Sequence, residues 1–452
     1  MDFYLLSRRL TRYPATTVLL SFATADLLGT FFLLLPWMHK VPLSIIDALF
    51  TSTSAICVTG LTVVNTAETF TRLGEGVLLL LMQLGGLGVM TFSMLFALGL
   101  KRPLGVKGRL LLQESFLPYT IADVRELLVT IFCFTFLAEG VSFFLLFLCF
   151  WRQFPLAQAL FHALFHAVSA FCNAGFSTFK DGLMPYERAY AVPLIVALTI
   201  LLGNTGFPVV YELLSFLKGK RKRFSLHFRL TTTAHFLLIF LGAAGLLFFE
   251  TKRLWAGLPW SLKIMNAFFH SISARTAGFN TSDVAGFSEH SLYILVLLMF
   301  IGACPGSTGG GIKTTTLALL YSTAWSRLRG YQRTMIWKRT VPENVVGKAI
   351  TLFLVAMITV VFFHFLLTST EPVVPFYKAR SEFLATIFET VSALGTVGLS
   401  TGLTPHLNTW GKVFIILAMF IGRVGLLSLI TILGRVSRPK PYFYAKEEVM
   451  VG

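Results

Sequence analysis

Charged residues are scarce in this sequence, and acidic residues are the scarcest of them. Only 13% of the 452 residues are Asp, Glu, Lys or Arg, whereas 55% are hydrophobic. A soluble domain carries about 25% charged residues. This deficit excludes a disordered chain and argues against a soluble enzyme, although the length alone would allow two or three globular domains. The distribution of apolar residues indicates one integral membrane body instead.

Cysteine is also rare, and no CxxC pair occurs. The five cysteines all lie in apolar segments, at Cys57, Cys133, Cys149, Cys172 and Cys304. They are typical of small buried hydrophobic residues, and they indicate neither a disulfide framework nor a transition-metal site. No nucleophile–base pair stands out either. We therefore expect a protein that is not an enzyme and that has no covalent cofactor.

Long apolar segments are abundant. A membrane-spanning helix needs about 20 apolar residues. Eight segments qualify, namely 17–37, 72–99, 127–150, 190–217, 231–249, 290–326, 346–368 and 410–434. Taken in order, the eight segments form four pairs. One shorter segment lies between the two members of each pair, at 43–63, 156–179, 261–281 and 381–402. The shorter segments have the length of re-entrant helices, which enter and leave the membrane on one side.

The basic residues indicate the orientation of these spans. Lys and Arg number 38 against 21 Asp and Glu. The two termini together with 101–126, 212–229 and 327–348 hold 24 of the basic and 8 of the acidic residues, and the opposite loops are close to neutral. Loops rich in Lys and Arg stay in the cytoplasm. The sequence therefore predicts a multi-pass protein of the plasma membrane with both termini cytoplasmic and no cleavable signal; binding to anionic lipid is a secondary interpretation, and no nucleic acid is expected.

The four short segments repeat one pattern. They read DALFTSTSA, HALFHAVSA, NAFFHSISA and ATIFETVSA, and each is followed four or five residues later by a glycine. These glycines are Gly60, Gly175, Gly278 and Gly398, spaced 115, 103 and 120 residues apart. A repeat of that length is a whole supersecondary unit. An old duplication that left similar packing without a shared site is the alternative, but it does not explain why the segments after the helices are also alike.

We therefore predict an all-α integral membrane protein. Its fold would consist of four tandem span–pore helix–span repeats around one pseudo-fourfold pore. The predicted boundaries are 1–100 for repeat 1, 101–218 for repeat 2, 219–330 for repeat 3, 331–435 for repeat 4 and 436–452 for a cytoplasmic tail.

The extended backbone after each short helix is the candidate ion site. Irregular backbone at membrane depth persists only where it is buried in protein or lines a watery cavity. Four such stretches around one axis would offer rings of carbonyl oxygens that replace the water shell of K⁺, by analogy with four-loop potassium filters. Glycine tolerates the positive φ angles that aim such carbonyls inward. The predicted filter is Val58, Thr59, Gly60, Asn173, Ala174, Gly175, Thr276, Ala277, Gly278, Thr396, Val397 and Gly398.

With these motifs the sequence resembles a known family, the membrane subunits of the Ktr and Trk potassium-uptake systems, which are related to plant high-affinity potassium transporters. The resemblance covers about 15–445 and is carried by VTGLTVVNT, AGFSTF, ISARTAGFNTSD and SALGTVGLSTGLTP. It implies one filter glycine per repeat, and glycine rather than serine at Gly60 favours potassium over sodium. It also implies a bacterial inner-membrane homodimer that docks on a ring of cytosolic nucleotide-binding, RCK-type regulatory subunits.

A glycine-rich stretch, IGACPGSTGGGIKTTT at 301–316, interrupts the sixth span. It resembles a Walker A loop only in part, because Ile312 stands where the lysine should be and no strand precedes it. A plain kink is a second interpretation. The family resemblance implies a third, an intramembrane gating loop at 302–313 beneath the filter. The predicted gate residues are Gly306, Ser307, Thr308, Gly309, Gly310, Gly311, Lys313 and Arg423. As cations at membrane depth, the last two are hypothesised to act as electrostatic barriers that opening relieves.

Other polar residues have less specific roles. His162 and His166 have a spacing that suits zinc, but without a third ligand pore-helix packing is favoured. Asp47 and Glu389 are expected to hold the filter scaffold, and Arg275 to brace loops through carbonyl groups. Asp26 and Glu139 could belong to a proton or sodium relay, and the sequence does not assign their role.

The function predicted is passive, channel-like permeation of K⁺. The alternative is a sodium-coupled or sodium-transporting secondary transporter of the same fold. Secondary transporters often contain inverted repeats, whereas four two-span units would all share one orientation.

Overall fold

The computed structural model describes residues 14–99, 121–370 and 380–425. Predictions that concern other residues, among them the tail at 436–452, lie outside this part of the chain. Helices account for most of the described residues. The helices are α1 Pro14–Leu33, α2 Ile45–Ile56, α3 Thr66–Thr69, α4 Arg72–Gly99, α5 Ile121–Phe150, α6 Leu156–Cys172, α7 Ala191–Asn204, α8 Phe207–Leu217, α9 Leu226–Glu250, α10 Trp260–Ser273, α11 Glu289–Phe300, α12 Thr314–Leu328, α13 Glu343–Thr370, α14 Arg380–Gly395 and α15 Thr409–Val424.

Between α12 and α13 lies a small antiparallel hairpin. Its strands are β1 Met335–Ile336 and β2 Arg339–Thr340, and Met335 pairs with Thr340. The two turn residues, Trp337 and Lys338, both have positive φ. Two-residue turns of this kind match the twist of the strands that they join.

Three helices are long and apolar enough to cross a bilayer by length and composition. They are 126–150, 226–250 and 343–370, and the pair α7 and α8 together would make a fourth. That count covers only the residues that the structure describes. Several further helices are apolar but shorter, as expected where a span is broken or re-entrant.

The predicted single span at 190–217 is wrong in one respect. α7 and α8 meet at an angle of 91°, with Thr205 and Gly206 between them. Gly206 has a φ of +81°, and a proline lies in the first turn of α8. Both halves are apolar, so hydropathy did not reveal the break, although the Gly-Phe-Pro sequence is a recognisable helix-breaking signal.

The four short helices α2, α6, α10 and α14 each pack against the long helix before them, and α2, α6 and α14 also pack against α4, α7 and α15. Their inner faces are buried, with a phenylalanine fully enclosed in each, at Phe50, Phe165, Phe269 and Phe388. Close approach is possible where a glycine replaces a side chain. A Cβ atom at Gly85, Gly203 or Gly422 would lie 2.0 to 2.1 Å from the carbonyl oxygen of Ile56, Phe171 or Leu394, at the ends of α2, α6 and α14. The C-terminal ends of α2, α6 and α14 are therefore held against neighbouring helices inside the protein.

Candidate functional site

The four glycines that follow the short helices lie next to one another in a closed ring. A Cβ atom at Gly60 would lie 3.0 Å from Cα of Gly175, and one at Gly175 would lie 3.2 Å from Cα of Gly278. The corresponding distances are 3.1 Å from Gly278 to Gly398 and 3.0 Å from Gly398 back to Gly60. No larger residue fits at these positions without moving its neighbour. We call these four residues the glycine ring, and we call the three residues that end at each glycine a ring segment, numbered in chain order.

Backbone conformation repeats around the ring. Gly60, Gly175, Gly278 and Gly398 have φ angles of +92°, +68°, +76° and +94°. The residue two positions earlier also has positive φ in each segment, and these residues are Val58, Asn173, Thr276 and Thr396. Positive φ is rare for residues other than glycine and costs most for β-branched side chains, of which there are three here. Such strain persists only where the surrounding structure enforces it, and here it occurs in all four segments.

One serine hydroxyl forms a hydrogen bond with the backbone at or beside the glycine of each segment. Ser54 and Ser392 accept hydrogen bonds from the N–H groups of Gly60 and Gly398, both at 3.1 Å. In the other two segments, Ser169 donates to the carbonyl of Phe176 and Ser273 to that of Phe279. All four serines are fully buried. The same serine recurs in all four repeats of the sequence, but the pattern alone does not indicate its role.

The glycine-rich loop at 302–313 runs directly beneath this ring. Asn173 Nδ2 donates to Thr308 Oγ1 at 2.6 Å. A Cβ atom at Gly309 would lie 2.1 Å from Thr276 Oγ1, and one at Gly310 would lie 2.3 Å from Thr396 Oγ1. Three successive loop residues therefore contact the second, third and fourth ring segments in order.

Two cations hold the loop. Lys313 Nζ donates to the carbonyl oxygens of Gly309 and Gly310, at 2.7 and 3.2 Å. Arg423 in α15 donates to the carbonyl oxygen of Thr308 and to those of Gly85 and Gly86 in α4. The guanidinium group therefore connects the loop to both α15 and α4. Both cations donate to backbone oxygens, which reduces the cost of placing charge at this depth, while Nε of Arg423 has no partner among the described residues.

The remaining predicted gate residues lie in the same loop. Ser307 Oγ donates to the carbonyl of Cys304 at 2.7 Å, and Gly306 accepts from the N–H of Phe207 at 2.8 Å. Gly311 has a φ of +66° and lies beside Gly302. The structure thus brings all eight predicted gate residues into one region against the ring.

Arg275 braces backbone, as the sequence predicted. This residue is 1% exposed and donates to the carbonyl oxygens of His235 and Gly302, both at 3.1 Å. Its guanidinium group also lies 2.8 Å from His235 Nδ1. It therefore fixes the start of the loop to α9.

The predicted scaffold carboxylates also have partners. Glu389 accepts from the hydroxyls of Ser400 and Thr404 and from the N–H of Thr401, just beyond the fourth ring segment. Asp47 forms an ion pair with Lys412 at 2.7 Å and accepts a hydrogen bond from the hydroxyl of Ser44, which is the N-cap of α2. Both carboxylates hold structure around the ring, as predicted.

The two histidines four residues apart contact loop hydroxyls. His162 Nδ1 lies 2.6 Å from Thr178 Oγ1, and His166 Nε2 lies 2.9 Å from Ser177 Oγ. Their rings pack on Phe179. Within the described residues, no group of three His, Cys, Asp or Glu side chains could hold a metal ion. These contacts agree with pore-helix packing.

Asp26 and Glu139 are buried beside the short helices. Asp26 Oδ2 accepts from Thr53 at 2.7 Å, and Glu139 Oε2 accepts from Gln83 at 3.3 Å. One oxygen of each carboxyl has no hydrogen-bond partner among the described residues. These contacts attach α1 to α2 and α5 to α4.

Comparison with known proteins places the chain in a family. Residues 12–442 match the family described as "TrkH: Cation transport protein". The chain is 38% identical to "Ktr system potassium uptake protein B" of Bacillus subtilis (strain 168), with 92% of each protein covered. It is 34% identical to "Potassium/sodium uptake protein NtpJ" of Enterococcus hirae, with 97% of each covered.

A solved structure agrees with this assignment. The potassium transporter TrkH from Vibrio parahaemolyticus superimposes with a TM-score of 0.71 at 22% identity, over 93% of this chain and 85% of that one. At this identity the likeness concerns the fold, and the sequence matches carry the family. The chain is a multi-pass membrane protein that belongs to the TrkH cation transport family.

Proposed function

We propose that this protein is the potassium-translocating pore subunit of a K⁺ uptake system. The observation that carries the proposal is the closed ring of four glycines, each preceded two residues earlier by a second residue with positive φ. The names of the relatives, which are potassium uptake proteins, support the choice of ion. The ion would pass along the axis that the four segments surround.

Selectivity is proposed to come from backbone carbonyl groups. Between the two residues with positive φ in each segment lies one residue outside that region. Alternation of this kind turns successive carbonyl groups toward one side of the chain, where they can replace the hydration shell of an ion. Buried serine hydroxyls accept the N–H groups of Gly60 and Gly398, which fixes the orientation of these two peptide planes. Carbonyl dipoles bind K⁺ without the fixed charge that would hold it too tightly.

The loop at 302–313 is proposed to be the gate. It lies against three of the four ring segments, and its position is fixed by Lys313 and Arg423. Both side chains carry positive charge close to the proposed ion path, so they would also oppose the passage of a cation until the loop moves.

The domain boundaries and the assembly are proposed in the same way. Four units at 1–100, 101–218, 219–330 and 331–435 would surround one pore, with both termini cytoplasmic. The word "system" in the names of the Ktr relatives suggests partner proteins. We propose a homodimer and a cytosolic ring of RCK-type regulatory subunits in a bacterial inner membrane.

Potassium uptake by transporter-deficient cells tests the ion site. Gly60→Ser places a side chain 2.5 Å from the carbonyl oxygen of Ala174 in a position with positive φ. We expect a loss of preference for K⁺ over Na⁺ in competition uptake, because the carbonyl ring is deformed. The matched control is Gly140→Ser in α5, where no heavy atom lies within 4 Å of the new Cβ. An unchanged ion preference in Gly60→Ser, at normal membrane abundance, would contradict the proposed filter.

The sodium-coupled alternative is tested in the same assay. The relative named for both potassium and sodium motivates it. A channel-like pore lets K⁺ follow its gradient when Na⁺ is omitted, whereas a coupled carrier stalls without its second ion. Persistence of uptake in sodium-free buffer supports the pore, and its complete loss supports coupling.

A further inference from the structure

Asn204 occupies an unusual position at the end of α7, where the chain turns by 91° into α8. The residue is 1% exposed. Its side-chain oxygen accepts hydrogen bonds from Thr276 Oγ1 at 3.1 Å and from Asn173 Nδ2 at 3.3 Å. Its Nδ2 donates to the carbonyl oxygen of Arg275 at 3.0 Å. One amide group therefore joins the second and third ring segments at the residues with positive φ.

The bend beside Asn204 is also where the glycine-rich loop docks. The N–H of Cys304 donates to the carbonyl of Asn204 at 3.4 Å, and that of Thr308 donates to the carbonyl of Gly203 at 3.3 Å. In the opposite direction, the N–H of Phe207 donates to the carbonyl of Gly306 at 2.8 Å. A broken helix leaves backbone groups without intrahelical partners. The loop supplies those partners here, so the bend and the loop stabilise each other.

The two sets of contacts meet at Asn173. Its Nδ2 donates both to Asn204 Oδ1 and to Thr308 Oγ1. Thr308 Oγ1 in turn lies 3.1 Å from the carbonyl of Phe171 and 3.2 Å from that of Gly203. Side chains in a buried network of this kind are coupled, because a partner lost at one position leaves a costly unpaired group at the next.

We propose that Asn204 is a positioning residue for ion selection and gating. It holds the second and third ring segments in register with each other and, through Asn173, with the loop. Displacement of the loop at Thr308 therefore changes the lower end of the ring, and deformation of the ring loosens the loop. This inference rests on the pore function proposed above.

The test is ion flux into proteoliposomes that contain the purified full-length protein, followed with ⁸⁶Rb⁺ and ²²Na⁺. Asn204→Leu has a similar volume and removes all three side-chain hydrogen bonds. We expect the Rb⁺ to Na⁺ flux ratio to fall about tenfold and the resting flux to rise. Asn204→Asp keeps an acceptor oxygen for Asn173 and Thr276, and it should retain more of the ratio than the leucine variant. Equal loss in the two variants would contradict the role of the acceptor oxygen.

Thr199→Val is the matched control. Thr199 lies in the same helix, is 1% exposed and forms a buried hydrogen bond at 2.6 Å to Ser142 of α5. Its loss should leave both the flux ratio and the resting flux unchanged. A similar change in this variant would mean that the loss of any buried polar side chain in α7 perturbs flux. That result would overturn the specific role of Asn204.

Thr308→Val provides a second route if Asn204→Leu does not fold. It removes the other acceptor of Asn173, and we expect raised resting flux, with Thr308→Ser restoring the wild-type value. Where both single variants fold, their effects in the double variant should be less than additive, because they act through the same amide.

Failure of this inference differs from failure of the pore function. If Gly60→Ser changes the ion preference while Asn204→Leu and Thr308→Val both leave ratio and resting flux at wild-type values, the positioning role is overturned and the pore function stands. If Gly60→Ser also changes nothing, the pore function itself is contradicted.

Discussion

At the residue scale, the equivalent serine of each repeat holds the backbone beside the glycine ring in one of two ways. A hydroxyl group is both a donor and an acceptor. Ser54 and Ser392 use the oxygen to receive a glycine N–H, whereas Ser169 and Ser273 use the proton to hold a carbonyl one residue beyond the glycine. Either bond fixes the orientation of a peptide plane beside the ring. This gives a role to the serine of the Ser-Ala pair that lies near the C-terminal end of each short helix.

Ser392→Ala tests this role. The variant leaves the N–H of Gly398 without its acceptor, and a hydrogen bond of this kind contributes about 1 kcal/mol. Because the peptide plane at Gly398 is then free to turn, we expect the Rb⁺ to Na⁺ flux ratio to fall about fivefold. The ratio is measured in proteoliposomes.

Ser142→Ala serves as the control for that variant, because Ser142 is also a buried serine but its hydroxyl bonds Thr199, between α5 and α7. If the two variants keep the same ratio as the unmodified protein, the hydroxyl behind the ring has no part in selection.

At the element scale, the interrupted sixth span matters most. α11 ends at Phe300 and α12 begins at Thr314, and the residues between them follow the underside of the ring. Glycine is required there for close approach rather than for flexibility alone, since Gly309 and Gly310 touch threonine side chains of the ring. The loop is therefore fitted to the ring in this structure and is not a plain kink.

Gly309→Ala is expected to displace the loop. The new Cβ would lie 2.1 Å from Thr276 Oγ1 and 2.7 Å from Ala303 Cβ, so the loop must move. Overpacking of this kind costs about 1 to 3 kcal/mol. We expect this cost to destabilise the loop position seen in this structure relative to a displaced position. Resting K⁺ flux should rise about fivefold or more.

Gly347→Ala in α13 is the control, because nothing lies within 4 Å of its Cβ position. A folded Gly309→Ala variant with unchanged or reduced resting flux would count against a gate at this loop.

The break between α7 and α8 is the second important element. A hydropathy average cannot detect it, because both halves are apolar and together they have the length of a span. The break is stabilised by backbone groups of the loop that lie about 100 residues further along the chain. Its consequence, the position of Asn204, was therefore not predictable from the local pattern.

At the scale of the whole molecule, the distribution of basic residues predicts the orientation in the membrane. The loop that carries Lys180 and the hairpin that carries Lys338 are proposed to lie on opposite sides. Lys180 is 65% exposed and paired with Glu68, and Lys338 is exposed in the hairpin turn. Short loops rich in Lys and Arg remain in the cytoplasm.

Labelling of single cysteines tests that orientation. In a background without the five native cysteines, a membrane-impermeant maleimide should label Lys180→Cys in intact cells. Lys338→Cys should react only after the cells are permeabilised, because its hairpin is expected inside. Labelling of Lys338→Cys from outside would reverse the proposed orientation and place both termini on the outer face.

Features that depend on neighbouring residues could be predicted from the order of amino acids alone. Apolar run length set the helical membrane architecture, and the fourfold pattern identified Gly60, Gly175, Gly278 and Gly398 before their positions were known. Each of these positions has a positive φ angle that favours glycine, so the requirement is visible in the local sequence motif. The tertiary structure decided which segments meet: the closed ring, the docking of the loop beneath it and the amide of Asn204 between two segments. These contacts join residues far apart in the chain, and their energy comes from buried hydrogen bonds whose partners a single sequence does not pair.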